Sequence, residues 1–262
     1  MSQKNTVSAN LHMLFTSVPF MDRYRLAAEA GFRYVEVPFP YQFDVLELKA
    51  QADKYHLKHS LINGPTGDWD AGFRGECCLK SQKDQFRKSV ELAILYANTL
   101  ECPRVHIVGG LPVLQDDIEH AEETYLENLK YAADELAKHN ILCLIEPASP
   151  LRFPGIFLNN FDQAKRYVEM LNCSNLKILF DYFHAQQICG QLTHTLATLA
   201  GLVGYVQVGQ VPHRGDCSTP GEIDYTFVFS ELQKHDPELI VGLEYLDDYP
   251  TFGWLSRMNL QF

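Results

Sequence analysis

The chain has 262 residues, of which 46% are hydrophobic, so it can bury one large core and has the length typical of an eight-unit barrel, about 250 residues. Its net charge of −11 argues against a surface that binds nucleic acid or an anionic membrane. Seven cysteines without a Cys-x-x-Cys pair predict free thiols in a reducing compartment. No apolar run reaches the length of a membrane helix and the N-terminus is polar, so the sequence predicts a cytoplasmic protein without a signal peptide.

Strand-like and helix-like segments alternate eight times along the chain. The first strand is predicted at 6–14, and the first helix, at 21–30, ends before Gly31, because glycine favours a helix C-terminus. The later helices are predicted at 45–55, 82–99, 117–139, 161–171, 187–199 and 225–234, and the strands between them at 32–37, 57–62, 104–108, 141–146, 176–181, 202–207 and 239–244. Eight such units predict an α/β protein with a closed (β/α)₈ TIM barrel. An open doubly wound sheet is disfavoured, because no glycine-rich fingerprint follows the first strand.

No linker or shift in composition divides the chain, so we expect one barrel domain over 1–262. Its short C-terminal extension, 249–262, contains Phe252 and Trp254, which predict packing against the body of the protein.

The last four predicted strands each end in an oxygen-bearing side chain. These are Glu146, Asp181, Gln207 and Glu244. Any one of them could simply cap the next helix. Together, at the shared edge of parallel strands, they would repel unless a cation offset their charge. The pattern predicts one divalent metal ion, Mg²⁺ or Mn²⁺, as the cofactor.

Two histidines and an arginine lie near these strand ends. His184 follows Asp181 by three residues, and His213 and Arg214 lie in the loop after the seventh strand. They suit either a metal–histidine site or a site that binds a substrate carboxylate and hydroxyls. His106, in the fourth strand, is a further substrate-binding candidate.

A glycine-rich stretch, 63–75, follows the third strand. A loop of this length inside a compact domain is more often functional than idle. Asn63 begins it, and Trp69 could cover a small ligand, so both are predicted to bind substrate. Packing of Trp69 and Phe73 in a surface loop is the alternative.

A metal between two glutamates supports proton transfer next to a carbonyl. One glutamate removes a proton and the other returns it to the neighbouring carbon or the opposite face. Glu146 and Glu244 are therefore the predicted catalytic pair, and the predicted chemistry is isomerisation or epimerisation without a redox cofactor.

Several segments together resemble the hydroxypyruvate isomerase family, which lies within the xylose-isomerase-like barrels that also include ketose 3-epimerases and type IV endonucleases. The resemblance spans nearly the whole chain and is most specific in the stretch 63–75. The other matching segments are 9–15, 30–36, 39–41, 105–110, 145–147, 181–184 and 221–225. One departure is Ser17, where the family favours an acidic residue.

The resemblance implies reversible conversion of hydroxypyruvate to tartronate semialdehyde, within glyoxylate and carbohydrate metabolism. It also implies that Glu146 and Glu244 are the acid–base pair and that the four strand-end residues surround the metal. Enzymes that act on four-carbon 2-oxo acids share these motifs, so a 2-oxo-tetronate isomerase or a ketose 3-epimerase is the alternative.

Two further classes are disfavoured. An abasic-site endonuclease needs more histidine ligands and a basic surface, against the charge of −11. A non-enzymatic sugar-acid-binding barrel predicts a damaged acid–base pair, whereas both glutamates are present. The expected partner is a small hydroxy-oxo acid, with no nucleic acid or membrane, and a homo-oligomer is left open.

Overall fold

Eight parallel strands form a closed barrel at the centre of the protein in the computed structural model, which describes residues 4–262. The strands are β1 (Val7–Asn10), β2 (Tyr34–Glu36), β3 (Lys58–Asn63), β4 (Arg104–His106), β5 (Leu142–Ile145), β6 (Leu176–Asp181), β7 (Val203–Val208) and β8 (Val241–Leu243). Each strand pairs with its neighbours in sequence, and β1 closes the barrel by pairing with β8. The predicted (β/α)₈ barrel is confirmed.

Helices lie between consecutive strands. They are α1 (Phe20–Ala30), α2 (Val45–Lys54), α3 (Lys83–Thr99), α4 (Gln115–Ala137), α5 (Phe161–Leu171), α6 (Tyr182–Ile188), α7 (Leu192–Thr198), α8 (Tyr225–His235) and α9 (Trp254–Arg257), with short 3₁₀ turns at Pro40–Gln42 and Lys80–Gln82. Gly31 ends α1 with φ at 106°, the left-handed conformation for which glycine was expected there. No helix among residues 4–262 is both long and apolar enough to cross a membrane.

The helix predicted at 187–199 is wrong, because two helices occupy this region. The first, α6, starts directly after β6, since the Asp181 Oδ1 atom accepts a hydrogen bond from the Phe183 backbone N–H at 2.7 Å and caps the helix. Gly190 and Gln191 then take φ values of 59° and 48°, which interrupt the helix before α7.

The strands separate two apolar regions. The larger core lies between the strands and the surrounding helices, and the alternate strand positions Leu61, Leu144, Leu179 and Tyr205 form a smaller cluster inside the barrel. Trp254 belongs to the larger core and is 2% exposed, and Phe252 contacts Phe32 with ring centroids 4.8 Å apart. The C-terminal segment therefore packs on the barrel.

Candidate active site

The carboxyl ends of strands β5 to β8 carry the four predicted metal-binding residues. Asp181 is the last residue of β6, Gln207 lies in β7, and Glu146 and Glu244 directly follow β5 and β8. Asp181 pairs in register with Gln207 across the two strands. Closure of the barrel thus brings side chains from distant parts of the chain to one rim.

A cavity of about 430 Å³ opens at this rim. Glu146 and Glu244 line it, together with all six residues that the sequence predicted to bind substrate, which are Asn63, Trp69, His106, His184, His213 and Arg214. Asp181 and Gln207 are buried outside this lining. The residues of a substrate site must line one cavity, and these residues do so. The role of each one stays a prediction.

Arg214 makes contacts that the sequence did not predict. Its Nη2 atom lies 2.9 Å from Asp181 Oδ2 and 3.1 Å from Glu244 Oε2, and its Nε donates to the Glu244 backbone carbonyl at 3.1 Å. The guanidinium also stands over the Phe183 ring, 4.6 Å from the centroid. One arginine therefore neutralises part of the charge of two carboxylates at the bottom of the cavity.

Gln207 is held from behind by Glu36, the last residue of β2. Gln207 Nε2 donates to Glu36 Oε2 at 2.7 Å, and the Tyr205 hydroxyl donates to Glu36 Oε1 at 3.0 Å. A Cβ atom at Gly242 would overlap with the Glu36 carboxylate, so only glycine lets β8 pass there. Because its amide nitrogen is fixed on Glu36, the side-chain oxygen of Gln207 is left for another partner.

Burial and mutual repulsion alter the acidity of the buried carboxyl groups. Burial and the neighbouring Asp181 and Glu244 hold the pKa of Glu146 well above its usual range. Burial raises the pKa of Glu244 to about 7, against the opposing effect of Arg214, and burial together with Glu244 raises that of Glu36 to about 8. Such a cluster favours either a shared proton or a bound cation.

Glu146, Asp181 and His184 could hold a metal ion, because each offers a ligand atom within 4.8 Å of those of the other two. The Glu146 Oε1 atom is buried and has no hydrogen-bond partner among residues 4–262, so it is an acceptor without a donor. The available carboxylate and amide oxygens are the donors that hard divalent cations prefer. The residues present therefore fit the predicted metal.

His184 is better suited to donate a hydrogen bond than to bind metal. Its Nδ1 accepts the Ser149 backbone N–H at 3.1 Å, so in the neutral ring the proton is on Nε2. That Nε2 lies 3.7 Å from Asp181 Oδ2 and 4.0 Å from Glu146 Oε1. Burial lowers the pKa of His184 to about 4, which keeps the ring neutral at pH 7.

His106 has the opposite tautomer. Its Nδ1 lies 3.2 Å from Asn63 Oδ1, an acceptor, so Nδ1 carries the proton and Nε2 keeps a lone pair. Nε2 is 3.8 Å from Glu146 Oε2, but burial lowers the pKa of His106 to about 3, so this contact is not an ion pair at neutral pH. The cavity thus contains one histidine that donates and one that accepts.

The stretch 63–75 forms one wall of the cavity, as expected for a covering loop. Trp69 contacts Phe39 and Phe153, with ring centroids 5.2 and 5.7 Å away. Gly75 closes the loop with φ at 93°, where a Cβ atom would lie 2.5 Å from the Val108 carbonyl oxygen. Aromatic contacts and a close backbone approach therefore fix the loop against the barrel.

Sequence reasoning did not single out Arg74 and Arg152 among the residues that line the cavity, and it left His12 between core packing and the mouth of the barrel. Arg74 and Arg152 bring positive charge to its wall and rim, and His12 has two buried ring nitrogens without a partner among residues 4–262. His12 is the second residue after β1, so the strand-end rule that found Glu146 points to this segment too. Arg74 lies near the end of the glycine-rich stretch, which is a signal that could have revealed it. No sequence pattern marks Arg152 in the same way.

Comparison with known proteins identifies relatives over the whole length. A model of the xylose isomerase-like TIM barrel family matches residues 24–258. A Caenorhabditis elegans protein named "Putative hydroxypyruvate isomerase" is 50% identical over all 262 residues, covering 100% of both chains. The hydroxypyruvate isomerase of Escherichia coli is 40% identical, with 96% of this chain and 97% of the relative covered.

A solved structure shows the same architecture. A Brucella melitensis protein, titled as an AP endonuclease of family 2, superposes with a TM-score of 0.90 at 36% identity, covering 97% of this chain and 98% of its own.

Proposed function

Because this chain belongs to the hydroxypyruvate isomerase family of xylose isomerase-like TIM barrels, we propose that it interconverts hydroxypyruvate and tartronate semialdehyde. The observation that carries the proposal is the pair Glu146 and Glu244, which line one cavity from strands on either side of Asp181. The reaction moves one proton between neighbouring carbons and needs two such groups.

One glutamate removes a proton from C3 of hydroxypyruvate, and the other returns a proton to C2. Meanwhile the oxygen on C3 loses its hydroxyl proton and the oxygen on C2 gains one, so the atoms balance. The hydroxyl proton passes from the C3 oxygen to the C2 oxygen, while His106 Nε2 can accept a hydrogen bond from the first and the His184 Nε2–H can donate one to the second. Glu244 lines the cavity beside Arg214, whose Nη2 lies 3.1 Å from its Oε2 and fixes the carboxylate toward the substrate space.

We also propose that Glu146, Asp181, Gln207 and Glu244 hold one divalent cation, Mg²⁺ or Mn²⁺. Their oxygen donors, the unpartnered Glu146 Oε1 and the fixed amide of Gln207 support this set. When bound, the cation polarises the substrate oxygens next to the reacting carbons. Arg214 orients two of these carboxylates, Asp181 and Glu244.

The experiment follows both directions of the reaction by proton NMR with purified protein. We expect hydroxypyruvate and tartronate semialdehyde each to yield the same mixture, chelation to stop the conversion, and Mg²⁺ or Mn²⁺ to restore it. Conversion that persists at the same rate after exhaustive chelation, with metal loss verified by elemental analysis, refutes the metal role. Absence of any conversion by loaded protein refutes the reaction.

A 2-oxo-tetronate isomerase is the second candidate. The observation in its favour is the cavity of about 430 Å³, which has room for one carbon more than hydroxypyruvate. Both substrates carry a carboxylate and react by the same proton transfer, so the NMR experiment is run with both. The substrate with the higher kcat/KM identifies which of the two reactions the protein favours.

For the protein as a whole, we propose one barrel domain over 1–262 that acts in the cytoplasm without nucleic acid. The free state of all seven cysteines and the charge of −11 support this.

A further inference from the structure

We propose that Arg74 binds the carboxylate of the substrate and thereby selects acids over uncharged sugars. The inference rests on the proposed function and specifies how its site chooses a substrate class. The question arises because Glu146, Asp181 and Glu244, which lie at or beneath the cavity, are assigned above to the metal ion and the reacting carbons, so the carboxylate of the substrate needs a positively charged partner of its own.

Arg214 is poorly placed to supply that attraction. Its Nη2 is shared between Asp181 and Glu244, and its Nε is bound to a backbone carbonyl. Its charge is therefore already balanced within the protein. The histidines of the cavity, His106 and His184, already use Nδ1 on Asn63 and on the Ser149 backbone N–H, and the Nε2 atom of each faces Glu146.

Arg74 presents an unused edge of its guanidinium. Its Nη1 donates to the backbone carbonyls of Trp69 and Phe73, both at 2.7 Å, while Nε and Nη2 have no hydrogen-bond partner among residues 4–262. Arg74 also makes no ion pair with any described carboxylate. The Nε–Nη2 edge is the one that receives a carboxylate through two parallel hydrogen bonds.

The Arg74 side chain is also preorganised. Its Cζ atom lies 4.0 Å from the centroid of the Trp69 ring and 5.6 Å from that of Phe153, and it is half-buried in the cavity wall. Stacking and the two carbonyl contacts fix the plane of the guanidinium, so little side-chain entropy is lost on binding. Arg152 also lines the cavity, but its side chain is exposed, and its Cζ atom lies 5.7 Å from the centroid of the Phe153 ring.

The test compares Arg74→Met with Arg152→Met, the competing arginine of the cavity, and with Arg87→Met, an exposed arginine over the Tyr131 ring and outside the cavity, on two substrates. Hydroxypyruvate and dihydroxyacetone differ only in carboxylate against hydroxymethyl, so the same proton transfer is measured with and without the negative charge. A charge-assisted hydrogen-bond pair contributes roughly 1.5–3 kcal/mol, so we expect Arg74→Met to raise KM for hydroxypyruvate about 10- to 100-fold. The rate with dihydroxyacetone should change less than about twofold, and Arg87→Met should leave both substrates near wild type, because Arg87 is exposed and lies outside the cavity lining.

Because Arg74 also fixes the loop, Arg74→Lys serves as a second variant that keeps the charge and loses the fork geometry. We expect it to be intermediate with hydroxypyruvate, with an unchanged melting temperature. An equal loss on both substrates in Arg74→Met would assign the residue to loop structure and overturn the inference, as would a selective loss in Arg152→Met instead.

A binding measurement separates this inference from the proposed reaction. Calorimetric titration with glycerate, an unreactive acid of the same length, needs no turnover. We expect Arg74→Met to weaken glycerate binding at least tenfold relative to wild type and to Arg152→Met. Unchanged affinity overturns the role of Arg74 even if hydroxypyruvate is converted, whereas failure of conversion alone overturns only the reaction.

Discussion

Glu36 determines which atom of Gln207 faces the active site. Its carboxylate accepts the Gln207 amide N–H at 2.7 Å and makes no ion pair with any residue in 4–262. Only the NH₂ end of an amide can donate to a carboxylate, so Nε2 faces Glu36 and the side-chain oxygen points away from it. The chemistry of Gln207 is thus set by a residue 171 positions earlier in the chain.

We expect Gln207→Glu to destabilise the protein by at least about 2 kcal/mol, because it places two carboxylates within hydrogen-bond distance in a buried site. The double variant Glu36→Gln/Gln207→Glu exchanges the two groups and should recover most of that loss. Urea unfolding of wild type, both single variants and the double variant closes the cycle. Strictly additive effects would show that the two side chains do not depend on each other.

Glu146 and Glu244 should each be essential for turnover. Acid–base groups contribute roughly 10²- to 10⁴-fold, so we expect Glu146→Gln and Glu244→Gln to lose at least this much in kcat with unchanged circular dichroism. Glu76→Gln is the matched control, because Glu76 is a buried carboxylate bound to Ser89 Oγ at 2.7 Å and does not line the cavity. Activity within a few-fold of wild type in either active-site variant would exclude the two-glutamate mechanism.

For individual residues, the sequence predicted which side chains lie at the strand ends better than it predicted which atoms they contact. Glu146, Asp181, Gln207 and Glu244 could be found because a strand pattern ends at each of them and parallel strands share one edge. The bond from Gln207 to Glu36 and the ion pairs of Arg214 could not, since they join strands and loops whose spacing depends on the closed barrel.

Among the elements, α1 and β3 are joined by a buried polar contact. Tyr24 of α1 and His59 of β3 lie 2.9 Å apart, hydroxyl oxygen to Nε2, and His59 is 1% exposed. Burial lowers the pKa of His59 to about 4, and nearby Lys49 acts in the same direction. The ring is therefore neutral in the folded protein at pH values where the unfolded chain begins to bind a proton.

This contact predicts a specific pH dependence of stability. Between pH 6.5 and 4 the unfolded state binds the His59 proton and the folded state does not, so the free energy of unfolding falls as the pH falls. The full shift corresponds to roughly 3 kcal/mol, at about 1.4 kcal/mol per pKa unit. We expect His59→Gln to show a smaller loss than wild type between pH 7 and 4.5 in urea unfolding. Identical slopes for the two proteins would place the proton uptake elsewhere.

The ends of a helix were predicted correctly where a local sequence signal marks them. The prediction was wrong where tertiary structure determines where the helix begins. The helix at 161–171 was predicted to the residue, and Asn160 caps it by accepting the Asp162 and Gln163 backbone N–H groups. The single helix expected at 187–199 was wrong, because the capping of α6 by Asp181 started a helix earlier than the apolar pattern suggested.

For the molecule as a whole, the eightfold alternation of strands and helices was enough to predict the barrel, since parallel neighbours with helical crossovers close most simply in this way. The net charge of −11 did not reveal how the cavity treats an anion, because Arg74, Arg152 and Arg214 are concentrated at one rim. Local charge at the site, rather than the total, decides the substrate class.

The most direct test of the account is the ratio of kcat/KM for hydroxypyruvate to that for a free ketohexose, measured by proton NMR with the metal-loaded protein. A cavity whose groups pair with a carboxylate leaves those groups unpaired when a neutral sugar binds, so we expect hydroxypyruvate to be favoured by at least about 10²-fold. A higher kcat/KM for the ketohexose would contradict the account and make the protein a ketose 3-epimerase.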